Sequence, residues 1–287
     1  MKKHIRNLAF ICHPARSSLP PILKGLIQWA EKNEIGVKLT PRMAQIVERP
    51  ELGLPRQDMA SEIDLVVVLG GDGSILEATR AFAADGVPVA GINLGHLGFL
   101  TLDGPQNAIS TLEKLRDGKF RIENRMMLQA IVRREGRKMF RGIALNDVVI
   151  QKGTMLRVIN INVSISGSSI NTYHGDGVIF STPTGSTAYS LSAGGPIVPP
   201  WVNVIILCPL NCHTLSARPV ITSDQEVLTA RLSCVHSKVD LVLDGQEGFR
   251  LQDGDEIEVS RAQELGKIVV FKSRNFFEIL RKKMNWG

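Results

Sequence analysis

Asp64-Leu-Val-Val-Val-Leu-Gly-Gly-Asp-Gly-Ser74 runs an unbroken apolar stretch, Leu65 to Leu69, straight into a glycine cluster that holds one carboxylate. A short, β-branched-rich run of this kind predicts a strand covered on both faces, as in a parallel sheet. Beyond Ser74 the residues Ile75, Leu76, Ala78, Thr79, Phe82 and Ala83 fall at helical spacing, so Gly70 to Ser74 reads as a strand-to-helix turn. Such turns bind anions, because free N–H groups meet the positive end of the helix dipole and glycines let the backbone come close to a phosphate. Asp72 in the middle would repel that phosphate unless it has its own task, either holding Mg²⁺ or accepting a proton from a hydroxyl. The turn therefore predicts phosphoryl transfer. The dinucleotide fingerprint does not fit, since Leu76 stands where its third glycine should be, and no Lys-Ser/Thr follows as a Walker A loop requires. The plainer alternative is a tight turn with Asp72 as the helix N-cap.

Outward from this turn, the chain changes texture near residue 120. Before it, short apolar strands at Arg6 to Phe10, Val37 to Leu39, Leu65 to Leu69 and Val87 to Ile92 alternate with helical stretches such as Pro21 to Glu31 and Ile75 to Ala84. That alternation predicts crossover units and a parallel sheet. After Thr111 to Arg116, read as a last helix, strand follows strand: Met127 to Arg133, Ile143 to Gln151, Val158 to Ser166, Gly177 to Ser181, Val202 to Cys208, Val227 to Ser233, Val239 to Leu243 and Glu256 to Ser260. Turn signals such as Glu135-Gly and Asp244-Gly separate them. The expected organisation is an α/β domain over residues 1–120, joined by a C-terminal helical segment within 266–287, and a β-rich domain over 121–265.

Composition agrees with two domains: 287 residues exceed the usual single core, and 44% hydrophobic content fills both. A net charge of +6 favours anionic ligands such as nucleotides or polyphosphate. With 5% aromatic residues and scattered basic ones there is no stacking surface for nucleic acid, and Arg133 to Lys138 reads as a charged hairpin turn. Cys12, Cys208, Cys212 and Cys234 lack zinc-site pairing and are too few for a disulfide scaffold, so reduced thiols are expected; Cys208, Cys212 and His213 lack an evident fourth metal ligand. No signal-peptide pattern or run of roughly 20 apolar residues is present, which predicts a cytoplasmic protein with no membrane partner.

Three further segments carry chemistry. Asn93-Leu-Gly-His-Leu-Gly-Phe-Leu100 follows a strand, and its glycines permit a second loop at the carboxyl edge of the sheet, where ligands collect. Phe99 either stacks on a heterocycle or fills core, and His96 is either a base or a hydrogen-bonding residue. Asn146-Asp147 interrupts an apolar strand, which costs free energy unless the pair is bonded, faces a ligand or sits at a turn. Finally, Gly175 to Pro196 packs eight hydroxyl-bearing side chains between Ser181 and Ser192 and five glycines from Gly175 to Gly195. These are the groups that bind a polar, flat, phosphate-linked ligand, unless they only cap a loop.

Taken together, Gly70-Gly-Asp-Gly73, Asn93-x-Gly-x-Leu-Gly-Phe-Leu100, Asn146-Asp147, Gly175-Asp-Gly177 and Thr182-Pro-Thr-Gly-Ser-Thr-Ala-Tyr-Ser-Leu-Ser-Ala-Gly-Gly195 resemble the NAD kinase family in its bacterial form, in order and spacing over nearly the whole chain. The resemblance implies a Rossmann-like or phosphofructokinase-like α/β domain, a β-sandwich-like second domain, and transfer of a phosphoryl group from ATP to the 2′-hydroxyl of the adenosine ribose of NAD. It implies that Asp72 is the base, that Gly70, Gly71 and Gly73 leave room for phosphates, and that Phe99 joins the NAD site. Asn146 and Asp147 would bind ribose and adenine, and Asp176 the nicotinamide portion. Thr187, Ala188, Tyr189, Ser190, Leu191 and Ser192 would line the same site, with Arg157, His174 and Gln246 at further ligand-contacting positions. Asp147 stands where glutamate is frequent in bacterial members. Mg²⁺ or another divalent cation is expected between the ATP phosphates, with few dedicated protein ligands. The resemblance also implies a homo-oligomer, dimer or tetramer. A related lipid or sugar kinase would keep only the first glycine loop, and a non-catalytic dinucleotide sensor could dispense with Asp72.

Overall fold

The run Leu65–Leu69 is a strand with all five side chains buried, the double-sided cover that its continuous apolar character requires. The computed structural model describes residues 5–12, 19–95, 98–153, 158–214, 216–234, 238–273 and 275–286. Two compact units are present, Met1–Asn124 with Gly266–Gly287, and Arg125–Leu265.

In the first unit the order is β1 (Asn7–Cys12), α1 (Leu19–Lys32), β2 (Gly36–Leu39), the short helices α2 (Pro41–Ile46) and α3 (Arg56–Met59), β3 (Leu65–Leu69), α4 (Asp72–Phe82), β4 (Val89–Ile92) and α5 (Ala108–Arg116). The strands pair in parallel in the order β2-β1-β3-β4. Parallel neighbours need crossovers, which α1 and α4 provide, and Leu19, Leu23, Leu26, Ile27 and Ala30 of α1 recur at helical spacing on its buried face. The carboxyl ends of β3 and β4 both open into glycine loops, with the Gly70 amide donating to the Ile92 carbonyl at 3.0 Å.

The chain leaves the first unit along β5 (Phe120–Arg134), which forms a hairpin with β6 (Arg137–Ala144). The turn between them is Glu135-Gly136, with φ of 50° and 76°, so the charged segment is a hairpin tip. There follow β7 (Asp147–Lys152), β8 (Ile159–Ile165), β9 (Ser168–Gly175), β10 (Gly177–Ser181), the one-turn α6 (Tyr189–Ser192), β11 (Val204–Leu210), β12 (Val220–Ser223), β13 (Leu228–Ser233), β14 (Val239–Leu243), β15 (Glu247–Leu251) and β16 (Glu256–Phe271). One sheet is antiparallel in the order β12-β11-β10-β7-β14-β15. The other joins β16, β13, β8 and β9, with β5 also pairing β16. Inward-facing residues of both sheets, among them Leu128, Ile161, Phe180, Leu207, Ala230, Leu241 and Ile257, make one apolar core. Two sheets sharing a core are a sandwich. The fold expectation of an α/β domain followed by a β-sandwich is met.

Two expected elements differ. β16 does not stop at Ser260 but continues to Phe271, and within the first unit its Ile268 pairs in parallel with Val89. The expected strand Ile143 to Gln151 is instead two strands with a bend at Leu145-Asn146, because three backbone amides there turn toward a side chain rather than a neighbouring strand. After β16, α7 (Phe276–Met284) is capped by Asn275, whose Oδ1 accepts from the Phe277 amide at 2.9 Å; Leu280 is its buried residue. No helix among the described residues is long and apolar enough to cross a membrane.

Candidate functional site

In the first unit Asp72 is the first residue of α4, and Gly71 is the N-cap. The carboxylate does not cap its own helix. Its Oδ2 accepts from the Phe99 amide at 2.8 Å and its Oδ1 from the Leu100 amide at 3.0 Å, so it is held across to the second glycine loop. A carboxylate has about four lone-pair sites, and these two bonds leave the others for a ligand hydroxyl. Gly98 explains the close approach: a Cβ there would overlap the Asp72 carboxylate. The loop is fastened from below, since Thr101 is fully buried and its Oγ1 accepts from the Gly98 amide at 2.9 Å, while the Leu102 amide donates to Gly91 and the Asn93 amide to Asp103. The turn is open at Gly71, where a Cβ would meet nothing within 4 Å. Gly70 is needed for packing, because a Cβ would sit 2.7 Å from the Ser74 hydroxyl oxygen. Phe99 is half-buried, and its backbone does the holding.

In the second unit Asn146 and Asp147 sit at the bend entering β7. The carboxylate of Asp244, at the end of β14, accepts from the amides of Leu145 (3.0 Å), Asn146 (2.7 Å) and Asp147 (3.1 Å). Sequence reasoning missed this residue, since Asp244-Gly reads only as a turn. Asp147 is buried, 4% exposed, and burial, followed by the negative charge of Asp244, pushes its carboxyl up to about 7. The hydroxyl-rich segment packs on the same bend. Thr182 Oγ1 donates to the Leu145 carbonyl at 2.6 Å and accepts from the Gly185 amide at 3.0 Å, and a Cβ on Gly185 would overlap the Asn146 carbonyl oxygen.

That packing alters the reading of the hydroxyls. Ser181, Thr182, Ser186 and Ser190 are fully buried, and the first three bond backbone groups. Ser190 was expected to line the dinucleotide site. Its side chain instead lies against the Cys208 thiol at 3.2 Å, so it has no surface to offer a ligand. Thr187, Ala188 and Leu191 are half-buried, and Tyr189 and Ser192 are exposed, which leaves them available.

The remaining predicted residues separate. Asp147 pairs with Ser181 and Gln151 with Gly177, so Asp176 stands at the opposite end of β10 from the Asn146–Asp147 bend, about 16 Å away at a strand's rise per residue. Asp176 is tied to Lys152 at 2.7 Å and to Asn211 at 2.9 Å, which hold its carboxyl below the usual range. His174, at the same end, meets Asn160 at 2.5 Å. Gln246 is exposed in the turn after Asp244. Arg157 and His96 lie outside the described residues. Among the described residues no group of three or more His, Cys, Asp or Glu side chains is arranged to hold a metal ion.

A parallel sheet whose glycine turn presents one clamped carboxylate, followed by a sandwich with a polar bend, is an arrangement suited to a nucleotide-handling phosphotransferase. Family models for the ATP-NAD kinase N-terminal and C-terminal domains match residues 8–120 and 145–271. The chain is 37% identical over 283 residues, 99% of each chain, to an NAD kinase of Natranaerobius thermophilus, and 40% identical over 260 residues to one of Symbiobacterium thermophilum, covering 91% of this chain and 92% of the other. A yeast NADH kinase crystallised with NADH superposes with a TM-score of 0.89 at 27% identity, covering 100% of this chain and 89% of that one. An Archaeoglobus fulgidus NAD kinase structure with ATP shares the fold, with a TM-score of 0.76 at 24% identity over 97% of this chain and 98% of that one. The chain belongs to the ATP-NAD kinase family.

Proposed function

We propose that this chain transfers the γ-phosphoryl group of ATP to the 2′-hydroxyl of the adenosine ribose of NAD, making NADP, with Asp72 as the base. Phosphorylation of NAD with ATP rests on the family and its named relatives. The observation that supports the role of Asp72 is its clamp: two backbone amides fix a partly exposed carboxylate at the edge where β3 and β4 open. In-line phosphoryl transfer asks mainly for positioning and charge neutralisation, and a ribose hydroxyl needs help to lose its proton. Asp72 accepts that proton as the hydroxyl oxygen attacks phosphorus. Asn146 and Asp147 bind the ribose and adenine, with Thr187, Ala188, Tyr189, Leu191 and Ser192 beside them.

A divalent cation belongs to the same proposal. A hard ion on nucleotide phosphates keeps several waters and is held by one or two carboxylates and the phosphates themselves rather than by a protein cage. Bound there it neutralises phosphate charge. A cytoplasmic location is proposed from the four free cysteines, which suit a reducing compartment. A homo-oligomer is proposed from the exposed apolar residues of the second unit, Trp201 (62% exposed) and Val202 before β11 and Ile221 (50%) on β12.

The test is incubation of the purified protein with ATP and Mg²⁺ and either NAD or a diacylglycerol, with a coupled assay for NADP. NADP formed from NAD alone is the expected result. Lipid phosphorylation, or NAD binding without product, would overturn it. Gly98→Ala is expected to lower kcat about 10²-fold with little change in melting temperature, because the methyl displaces the Asp72 carboxylate by about an ångström and misplacement on that scale costs about that much. Steady-state kinetics beside a thermal melt would check it.

A further inference from the structure

Asp244 is fastened to the bend before β7 by both carboxylate oxygens and by its own amide. Its Oδ1 accepts from Asn146 and Asp147, its Oδ2 accepts from Leu145, and its own amide donates to the Asp147 carbonyl at 3.0 Å. It is 8% exposed and has φ of 51°, a left-handed conformation that Asp and Asn tolerate better than other side chains. Without this carboxylate three amides of the bend would lose their acceptor, since residues 145 and 146 stand outside the strand ladder. We propose that Asp244 is a positioning residue for NAD, which shapes the bend presenting Asn146 and Asp147 and by its charge adds to the burial that favours the protonated form of Asp147. This rests on the reading of Asn146 and Asp147 as NAD-binding.

The second part follows from what surrounds Asp147. It is buried, and among the described residues on β7, the bend and the β14–β15 turn, Asp244 is the charged group that acts on it. The Asp244 carboxylate lies 3.1 Å from the Asp147 amide, and a negative charge this close to the residue opposes a second one on its side chain. Burial and that repulsion raise Asp147 to about 7, which puts its titration inside the working pH range. A protonated Asp147 donates a hydrogen bond to an acceptor on the coenzyme, whereas an ionised one only accepts. The NAD step, and not the ATP step, then depends on pH around neutrality.

Asp244→Asn separates these roles from a merely structural one. Asparagine suits the left-handed backbone and keeps one oxygen for the bend, but it removes the charge and turns an NH₂ toward one amide that had an acceptor. The expected result is a KM for NAD raised about tenfold, the worth of one hydrogen bond to a charged group. The KM for ATP should stay within about twofold, and the pH midpoint of kcat/KM for NAD should move to lower pH. Direct titration of NAD into both proteins should show the same ratio of affinities. Loss of kcat and both KM values together with an unmoved pH midpoint would mean a structural role only, and unchanged constants would remove Asp244 altogether. If Asp244→Asn does not fold, Asp147→Asn provides the second reading: a pH dependence of NAD binding that survives it overturns the proposal. A wild-type protein that neither binds nor phosphorylates NAD would sink the functional reading and this proposal with it, whereas an active wild type with an indifferent Asp244→Asn sinks this proposal alone.

Discussion

Asp72→Asn is expected to lower kcat by about 10²–10⁴, the usual contribution of a positioned general base, equivalent to about 3–5 kcal/mol of barrier. The amide keeps the size of the side chain, so NAD and ATP should still bind, with KM values within a few-fold. It also disturbs the clamp, because Phe99 and Leu100 each donate to a different carboxylate oxygen and an NH₂ can satisfy neither. One amide therefore loses its partner, at a cost of about 1 kcal/mol in this partly exposed place. Thr101→Val is the control. It removes the acceptor for the Gly98 amide and loosens the same loop without touching the acid, so its effect on kcat should stay below about tenfold, near the loss of one hydrogen bond. Steady-state kinetics of the two variants decides the matter: a near-normal kcat in Asp72→Asn, or equal losses in both, would take the base role from Asp72.

How far the sequence shows all this differs from place to place. Leu65–Leu69 and the glycine turn were legible because a short apolar run, a glycine pair and a helical period are local signals that tertiary contacts rarely override. Asp72 stood out for the same reason, as an acid inside a glycine turn, while the Phe99 and Leu100 amides that hold it lie 27 and 28 residues away and left no local signal. The bend at Leu145-Asn146 was hidden. Asn146-Asp147 interrupts the apolar pattern, but a ligand-facing strand would show the same interruption and the fully buried Leu145 gives no stop signal; the reason for stopping is a carboxylate 98 residues further on. The hydroxyl segment misled in another way. Serine and threonine bond backbone as readily as ligands, and only burial separates Ser186 and Ser190 from Thr187 and Ser192. β16 ran on past Ser260 because Arg261, Gln263 and Glu264 break the apolar pattern without breaking the strand, and charged side chains of an outward face carry no stop signal.

Asp147→Asn is expected to stabilise the protein at alkaline pH while weakening its hold on NAD. The carboxyl of Asp147 is raised from 3.8 to about 7, by burial first and by the Asp244 charge second. Between those values the folded chain keeps a proton that the unfolded chain gives up, so the contribution of this group to stability is fully present below about pH 4 and is lost as pH rises through 7. Above pH 7 the fold carries a buried carboxylate next to another, a cost on the order of a few kcal/mol. Asparagine is neutral at every pH and removes that cost. The variant should therefore melt several degrees above wild type at pH 8, at roughly 2–4 °C per kcal/mol for a chain of this size, and the gain should shrink toward pH 5. Thermal melts of the ligand-free protein at the two pH values measure it. Equal effects at both would mean that Asp147 is already ionised at pH 5 in the fold and that its carboxyl is not raised. The same substitution takes an acceptor from the coenzyme, so kcat/KM for NAD should fall even as the protein becomes harder to unfold, the opposition expected where a site keeps a carboxylate that the fold alone would not choose.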